Sequence, residues 1–392
     1  GYKFTGFRMN SFTGYDVSNA GDVNADGFAD ILIGSSDFEG ETYLIYGGAD
    51  RLAYYDALDG FEDGEIDLVW TQHAPEIFET DITAGSVGYM VLGDTFLGDL
   101  GAALSAAGDF NGDGIDDFAV GAPGNDSAYV IFGQDTGADG YTPATLSVED
   151  LDGTNGVVLS GSNEAGYSLA SAGDVNGDGI GDLIIGAYDF EGEAYVVFGK
   201  DTARDGDFAA EVLLSDFEDL DGSEGFVIEG EDFMDYMGTA VSAAGDVNGD
   251  GIDDLMVGAF GAEADGSDQT GAVYFIYGTE DGFDATLNVA DLDGTNGFAL
   301  YGSQDDTRLG YALDLLGDVN GDGIADYILG STDAEVYGDG EGEAYVVFGD
   351  ANLPGTISLS ALNGTSGFVL NGASTGDGAG TSVAGAGDVN ND

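Results

Sequence analysis

One short acidic segment, Gly-Asp-x-Asn-x-Asp-Gly, recurs along the whole chain at nearly even intervals. The first aspartates of its five complete copies are Asp22, Asp109, Asp174, Asp246 and Asp318. A sixth copy opens at Asp388 and stops at Asp392. A fixed period of this length is typical of solenoids, propellers and other stacked repeats. The chain is therefore expected to be one structural unit repeated, rather than two or three unrelated domains.

Each copy has the same neighbours in the same order. In the fourth copy, apolar or small residues at 225–228 and 238–242 precede the acidic segment, and 255–257 and 274–277 follow it. Short segments rich in β-branched and aromatic residues, bounded by Gly, Asp and Asn, indicate strands. Four strands per unit is the content of a propeller blade. The sequence thus predicts an all-β propeller of four-stranded blades.

A single four-stranded sheet cannot cover both of its faces, so blades have to stack on neighbours. The aromatic residues at repeated positions, such as Tyr195 and Phe198, are therefore expected in the core between blades. The predicted domain is one propeller over residues 1–392. Its units lie at roughly 1–50, 88–140, 156–205, 225–285, 297–350 and 367–392. Residues 51–87, which contain the single Trp70 and the single His73, are expected to form a surface insertion.

The charge of the chain excludes several classes of partner. There are 76 acidic residues against 6 Lys and Arg, giving a formal net charge of −70. Binding to nucleic acid needs cationic side chains that replace phosphate counterions, and an anionic membrane surface is disfavoured for the same reason. The absence of an apolar run of about 18 residues predicts no membrane insertion. The absence of Cys excludes disulfides, thiolate zinc sites and cysteine nucleophiles.

The acidic segment has the pattern of a calcium-binding loop. In the copy at 174–182, side-chain oxygens fall at positions 1, 3, 5 and 9, and a backbone carbonyl is available at position 7. Calcium takes six to eight hard oxygen ligands, and a Gly at position 6 permits the sharp turn between them. Magnesium is disfavoured because it requires near-ideal octahedral geometry. An EF-hand is disfavoured because position 12 is apolar here, where that motif has Glu between two helices.

The cofactor prediction is Ca²⁺ at about five sites, with a sixth partial site. The candidate ligands, with the carbonyl-donating residue of each complete loop included, are Asp22, Asn24, Asp26, Phe28, Asp30, Asp109, Asn111, Asp113, Ile115, Asp117, Asp174, Asn176, Asp178, Ile180, Asp182, Asp246, Asn248, Asp250, Ile252, Asp254, Asp318, Asn320, Asp322, Ile324, Asp326, Asp388, Asn390 and Asp392.

These loops are expected to depend on the ion. Three carboxylates in one turn repel one another, so the turn should open without a cation and loosen the strands that it joins. The surface stays strongly acidic even with five ions bound. Such a surface suits salty, calcium-rich water, where a short Debye length screens self-repulsion. An extracellular location is therefore expected.

At these residues the chain resembles the FG-GAP repeats of the integrin α-chain β-propeller. The two sequence motifs of that family are present as Phe132-Gly133 and Gly121-Ala122-Pro123. In the next unit the second motif is only partly kept, as Gly186-Ala187-Tyr188. The resemblance covers nearly the whole chain. Within the family, the chain looks most similar to long, acidic bacterial secreted proteins. It implies calcium in the loops, an extracellular place and roles in adhesion or surface assembly. Taken with the acidic surface, the expected location is outside the cell or on the cell surface of a marine or salt-adapted bacterium.

The integrin-type domain closes with seven blades, whereas this chain has five complete units and the start of a sixth. Two alternatives stay open: the chain is an incomplete part of a seven-bladed ring, or its ring has a different number of blades.

The favoured function is an adhesion or binding module whose partner is a protein or glycan at a cell surface, or further copies of the chain. The alternative is a structural subunit of a surface layer or extracellular filament. No nucleophile elbow, metal-binding His pair or phosphate loop is present, so no enzymatic activity is predicted. A carbohydrate-active hydrolase is the least favoured alternative, resting only on the abundance of carboxylates.

Overall fold

A computed structural model describes most of the repeated part of the chain. The described residues are 3–4, 13–35, 40–48, 76–77, 88–93, 98–136, 144–190, 192–219, 221–263, 269–302, 307–332, 341–349, 359, 362–374 and 376–386. Within them the structure is almost entirely β. Helical structure there consists of short pieces such as α1 (Thr202–Asp205) and the 3₁₀ turns at Val148–Asp150 and Val289–Asp291.

Five four-stranded antiparallel sheets make up the described fold. Sheet 1 contains β2 (Thr13–Gly21), β3 (Asp30–Ser35), β4 (Glu41–Ile45) and β6 (Gly88–Leu92). Sheet 2 contains β7 (Leu104–Gly108), β8 (Asp117–Ala122), β9 (Ser127–Ile131) and β11 (Gly156–Ser160). Sheet 3 contains β12 (Ala165–Gly173), β13 (Asp182–Ala187), β14 (Glu193–Val197) and β16 (Gly225–Glu229). Sheet 4 contains β17 (Met237–Gly245), β18 (Asp254–Ala259), β19 (Ala272–Ile276) and β21 (Gly297–Tyr301). Sheet 5 contains β22 (Leu309–Gly317), β23 (Asp326–Ser331), β24 (Glu343–Val347) and β25 (Gly367–Asn371).

The outermost strand of each sheet comes from the start of the following sequence unit. In sheet 3, β16 pairs with β14 so that Val227 lies opposite Tyr195. The chain then continues from β16 into β17, the innermost strand of sheet 4. The first strand of each sequence unit is therefore the outermost strand of the preceding sheet. From that strand the chain runs directly into the innermost strand of the next sheet.

A second connection ties neighbouring sheets together. After the third strand of sheets 2, 3 and 4, the chain returns as a short strand that pairs in parallel with the outermost strand of the preceding sheet. We call these strands straps: they are β10 (Thr145–Ser147) on β6, β15 (Glu211–Leu213) on β11 and β20 (Thr286–Asn288) on β16. The two-residue strands β1 (Lys3–Phe4) and β5 (Glu76–Ile77) pair in the same parallel manner.

The core lies between the sheets, as expected from the repeated apolar segments. All six residues of β13 are buried, because both faces of the strand are covered by neighbouring sheets. Tyr195 and Phe198 are buried in two successive clusters, the first between sheets 2 and 3 and the second between sheets 3 and 4. The innermost strands β2, β7, β12, β17 and β22 contact one another in that order. These features confirm the prediction of stacked propeller blades.

Backbone contacts between glycines determine how closely neighbouring sheets pack against each other. A Cβ at Gly186 in β13 would overlap the carbonyl oxygen of Gly238 in β17, so only glycine allows the two sheets to approach. The same pairing recurs at each step along the stack: Gly34 with Gly101, Gly121 with Gly166, Gly258 with Gly310 and Gly330 with Gly380.

Some predicted features lie outside the described residues. They are the sixth loop, with Asp388, Asn390 and Asp392, and most of the 51–87 insertion, including Trp70 and His73. The unit boundaries and the number of blades in a closed ring remain predictions.

Candidate metal centre

The five acidic loops occupy equivalent places in the five sheets. Each connects the innermost strand to the second strand, so that all five lie at the same edge of the stack. Strands flank every loop on both sides, as the sequence predicts. A pair of antiparallel strands therefore fixes the two ends of each loop.

Backbone N–H groups organise the side chains at positions 1, 3 and 5. In the sheet 3 loop, the Asp178 N–H donates to Asp174 Oδ1 and to Asn176 Oδ1, both at 2.9 Å. The N–H of Gly179, at φ +90°, donates to Asp174 Oδ2 at 2.8 Å, and the Ile180 N–H donates to Asp178 Oδ1 at 3.0 Å. These four bonds recur in the other four loops with donor–acceptor distances of 2.8–3.0 Å.

The aspartate at position 9 is buried in every loop. Asp182 accepts the Val175 N–H at Oδ2 (2.9 Å) and the Gly199 N–H at Oδ1 (3.0 Å), where Gly199 is the glycine of the Phe-Gly pair. The equivalent carboxylates, which are also fully buried, are Asp30, Asp117, Asp254 and Asp326. This aspartate therefore ties the loop to the third strand of its own sheet, a role that its place in the acidic pattern does not reveal.

Burial strongly affects the ionisation of these position 9 carboxylates. Desolvation raises the pKa of Asp182 to about 8, although its two backbone hydrogen bonds oppose the rise, and the nearby charges of Asp178 and Asp174 raise the pKa further. Desolvation likewise raises the pKa of Asp117 to about 8, and those of Asp30 and Asp254 to about 7. Each loop thus contains a buried carboxylate whose ionised form is disfavoured by desolvation.

The donor set can serve a hard divalent cation. Carboxylate oxygens at positions 1, 5 and 9, an amide oxygen at position 3 and a backbone carbonyl at position 7 are the ligand types that calcium prefers. Among the described residues, no three carboxylate or imidazole groups already converge on a common point. The side-chain oxygens of the loops are instead directed at their own backbone N–H groups.

Two pairs of neighbouring loops are linked by an aspartate at position 8. Asp116 Oδ2, in the sheet 2 loop, accepts the N–H of Asp22, the first residue of the sheet 1 loop, at 2.8 Å. Asp253 Oδ2 accepts the Asp174 N–H in the same way at 2.9 Å, joining the loops of sheets 4 and 3. The sheet 3 loop has Gly181 at this position, so the link is not repeated at every step.

A cluster of aromatic side chains lies at the opposite edge of the sheets, where β13 ends. We call it the aromatic rim; it consists of Tyr167, Tyr188, Phe190, Phe233, Tyr236 and Phe260. Its rings are stacked, with centroids 4.5 Å apart for Tyr167 and Tyr188 and 4.9 Å apart for Tyr236 and Phe260. Phe190 and Phe233 are 49% and 63% exposed. The sequence pattern assigned repeated aromatics to the core and did not identify this cluster, in which Tyr167, Phe190 and Phe233 are exposed and Phe260 is buried.

Stacked four-stranded sheets, each with an aspartate loop at one edge, define a repeat protein of the β-propeller class. The family model described as "FG-GAP repeat" matches residues 100–138, 165–197 and 237–276, which lie in sheets 2, 3 and 4. The chain therefore contains three FG-GAP repeats, and these are similar to the repeats of integrin α chains.

Several known proteins share this similarity. The chain is 33% identical over 232 residues to integrin alpha pat-2 of Caenorhabditis elegans, covering 58% of this chain and 17% of that protein. It is 30% identical over 192 residues to integrin alpha-IIb of Mus musculus, covering 48% of the chain and 16% of that protein. It is 35% identical over 150 residues to phosphatidylinositol-glycan-specific phospholipase D of Dictyostelium discoideum, covering 36% and 15%. The matched regions span about a sixth of each relative.

Two of these three relatives are integrin α chains. The repeats also occur in a phospholipase, so they do not by themselves decide whether a chain that carries them is an enzyme. In the described residues, no helix is long and apolar enough to cross a bilayer.

Proposed function

We propose that this chain is an extracellular adhesion module whose blades are stabilised by calcium and whose aromatic rim contacts a partner protein or glycan. The observation that carries the proposal is the repetition of one loop geometry in five stacked sheets of an integrin-like fold. The similarity to integrin α chains supports binding in general. Calcium, the extracellular location and the partner are our inferences.

Calcium would be held in each loop by positions 1, 3, 5, 7 and 9. In sheet 3 these are Asp174, Asn176, Asp178, the carbonyl of Ile180 and Asp182. When bound, the ion supplies a double positive charge against three carboxylates. Asp182 would then stay ionised despite its burial, and the repulsion between the loop aspartates would be relieved. The loop would keep β12 and β13 in register.

Replacing Asp178 with Ala is expected to destabilise the protein by about 2–3 kcal/mol in saturating calcium, since the sheet 3 loop loses one ligand and the stabilisation that ion binding adds. With calcium chelated, the same substitution should have a much smaller effect. The measurement is chemical unfolding of wild type and variant with and without calcium. A loss of the same size in both conditions would show that Asp178 acts only through its hydrogen bonds.

Asp205→Ala is the matched control. Asp205 is an exposed aspartate in α1 that pairs with Arg204 at 2.7 Å, outside every loop. Exposed ion pairs contribute little to stability. This variant should unfold like the wild type in both conditions, and isothermal titration should still give five calcium sites.

The aromatic rim is the proposed contact surface. Exposed apolar clusters on soluble proteins mark binding sites, and aromatic residues dominate the energetics of interfaces. Phe190 and Phe233 lie side by side, with ring centroids 5.7 Å apart and planes inclined by 17°. Both are accessible to a partner without any rearrangement.

Beads coated with the Phe190→Ser, Phe233→Ser double variant are expected to bind immobilised matrix proteins or glycans about tenfold more weakly than wild-type beads, because two anchoring rings are lost. Leu213→Ser is the control, since Leu213 is 46% exposed in the strap β15 and lies outside the rim. Equal adhesion of the wild type, the double variant and the control would show that the aromatic rim is not the contact surface. Ordered filaments or lattices of the unbound protein in electron micrographs would favour the alternative role of a structural subunit.

A further inference from the structure

A pocket recurs in sheets 2, 3 and 4 between the Phe-Gly or Tyr-Gly segment and the strap. Its volume is about 130 Å³ beside Gln134 and about 160 Å³ beside Lys200. In sheet 4 the residue at that position is Thr279, and the pocket enlarges to about 350 Å³. The repeats therefore provide an internal comparison of one site in three forms.

In sheet 3 a lysine of the chain itself lies in this pocket. Lys200 directs its Nζ over the ring of Phe208, 4.5 Å from the centroid, and donates to the Asp207 carbonyl at 3.0 Å. Lys200 is one of only six cationic residues in the whole chain. An ammonium on an aromatic face beside a carbonyl oxygen is a favourable arrangement, because the ring face carries partial negative charge.

Sheet 4 keeps the ring of this site but lacks the lysine. Phe283 takes the place of Phe208 three residues before the strap, and it is held by stacking on Phe226 with centroids 4.2 Å apart. Ala209, the neighbour of Phe208, is replaced by Asp284. The sheet 4 pocket thus keeps the aromatic ring and lacks the internal ammonium, with Asp284 in place of Ala209 and Asn296 in place of Glu224.

The charged side chains in the described lining of the sheet 4 pocket are all acidic. Asp284 and Asp291 are exposed carboxylates in its lining, and Asp250 of the sheet 4 loop borders it. Calcium in that loop would offset the charge of Asp250, leaving Asp284 and Asp291 for a ligand. Among the described residues that line the pocket, none is Lys or Arg.

We propose that the sheet 4 pocket binds the ammonium of a lysine side chain presented by a partner protein. The methylenes of the lysine would lie against Tyr277 and Phe283, and the ammonium would lie over Phe283 beside Asp284, as Lys200 does over Phe208 in sheet 3. This goes beyond the proposed adhesion function. The pocket lies near the loop edge of the sheets, away from the aromatic rim, and its occupancy does not require the rim.

The test uses Nα-acetyl-lysine N-methylamide as the probe and the full chain in millimolar calcium. Saturable shifts of the Thr279 and Asp284 amide resonances are expected, with a dissociation constant on the order of millimolar. The neutral norleucine analogue should bind about tenfold more weakly. Absence of saturable shifts at these amides would overturn the proposal, and tighter binding of glucosamine would overturn its assignment to lysine.

Thr279→Lys places a lysine where sheet 3 has its own, and is expected to weaken probe binding at least about tenfold by filling the pocket. Gln134→Lys makes the same charge change at the same repeat position in sheet 2, and should leave the shifts unchanged. Equal binding to both variants would overturn the proposal. Because these readouts are local, a failure of the adhesion assay with intact probe binding would affect only the proposed function.

Discussion

Chelation of calcium is expected to lower the midpoint of thermal unfolding by on the order of ten degrees. At a free calcium concentration one hundred times the dissociation constant, each site stabilises the folded state by about 2.7 kcal/mol. Five sites act together, because each loop joins two strands of a sheet that packs on its neighbours. For a chain of this size, one kcal/mol corresponds to only a degree or two in the midpoint, so the combined effect remains moderate.

The measurement is differential scanning calorimetry across a calcium titration, with magnesium as the control cation. Calcium should raise the midpoint progressively, while magnesium at the same concentration should raise it much less. An unchanged midpoint after complete chelation would eliminate the proposed role of the ion in holding the blades. Hydrogen exchange should show the loss of protection first at the loop ends of the strands.

Gly186→Ala is expected to destabilise the protein by about 3 kcal/mol, the upper part of the range for overpacked cores. The added methyl group would overlap the Gly238 carbonyl oxygen, which belongs to the backbone of β17 and cannot rotate away. The two sheets would have to separate, and the packing of the cluster between them would be disturbed on both sides.

Gly181→Ala is the matched control for this substitution. Gly181 lies in the loop at position 8, where the sheet 1 and sheet 5 loops already have Ala29 and Ala325. Calorimetry should show a midpoint lowered by several degrees for Gly186→Ala and nearly unchanged for Gly181→Ala. Hydrogen exchange should locate the damage in β13 and β17. Equal midpoints for the two variants would show that the glycine contact does not limit the approach of the sheets.

The sequence was sufficient to predict the strands and their stacking. The apolar segments that flank each loop carry the β-branched and aromatic residues of a buried sheet, and their repetition required neighbours on both faces. Tyr195 and Phe198 lie between sheets for this reason. The Gly at position 6 predicted a sharp turn, and Gly179 has a left-handed backbone there (φ +90°). The calcium ligands inferred from the alternation of oxygen-bearing residues stay a prediction.

The pairing partners were beyond what the pattern could reveal. Three-residue straps such as β15 (Glu211–Leu213) are too short to show a periodicity, and their parallel pairing with a different sheet depends on the path of the whole chain. At Gly186 the backbone is not in the left-handed region, and the reason for glycine is a contact with Gly238, far away in sequence. The aromatic rim was missed because exposure, unlike spacing, is set by the tertiary fold.

The offset between repeat and sheet constrains how such a chain can change its length. The outermost strand of every sheet belongs to the following sequence unit. Truncating the chain at a unit boundary therefore leaves one sheet without its edge strand. Gain or loss of a whole unit, in contrast, restores every pairing at the junction, since the incoming edge strand meets the same third strand. Insertion or deletion of complete repeats therefore preserves the strand pairing within every sheet.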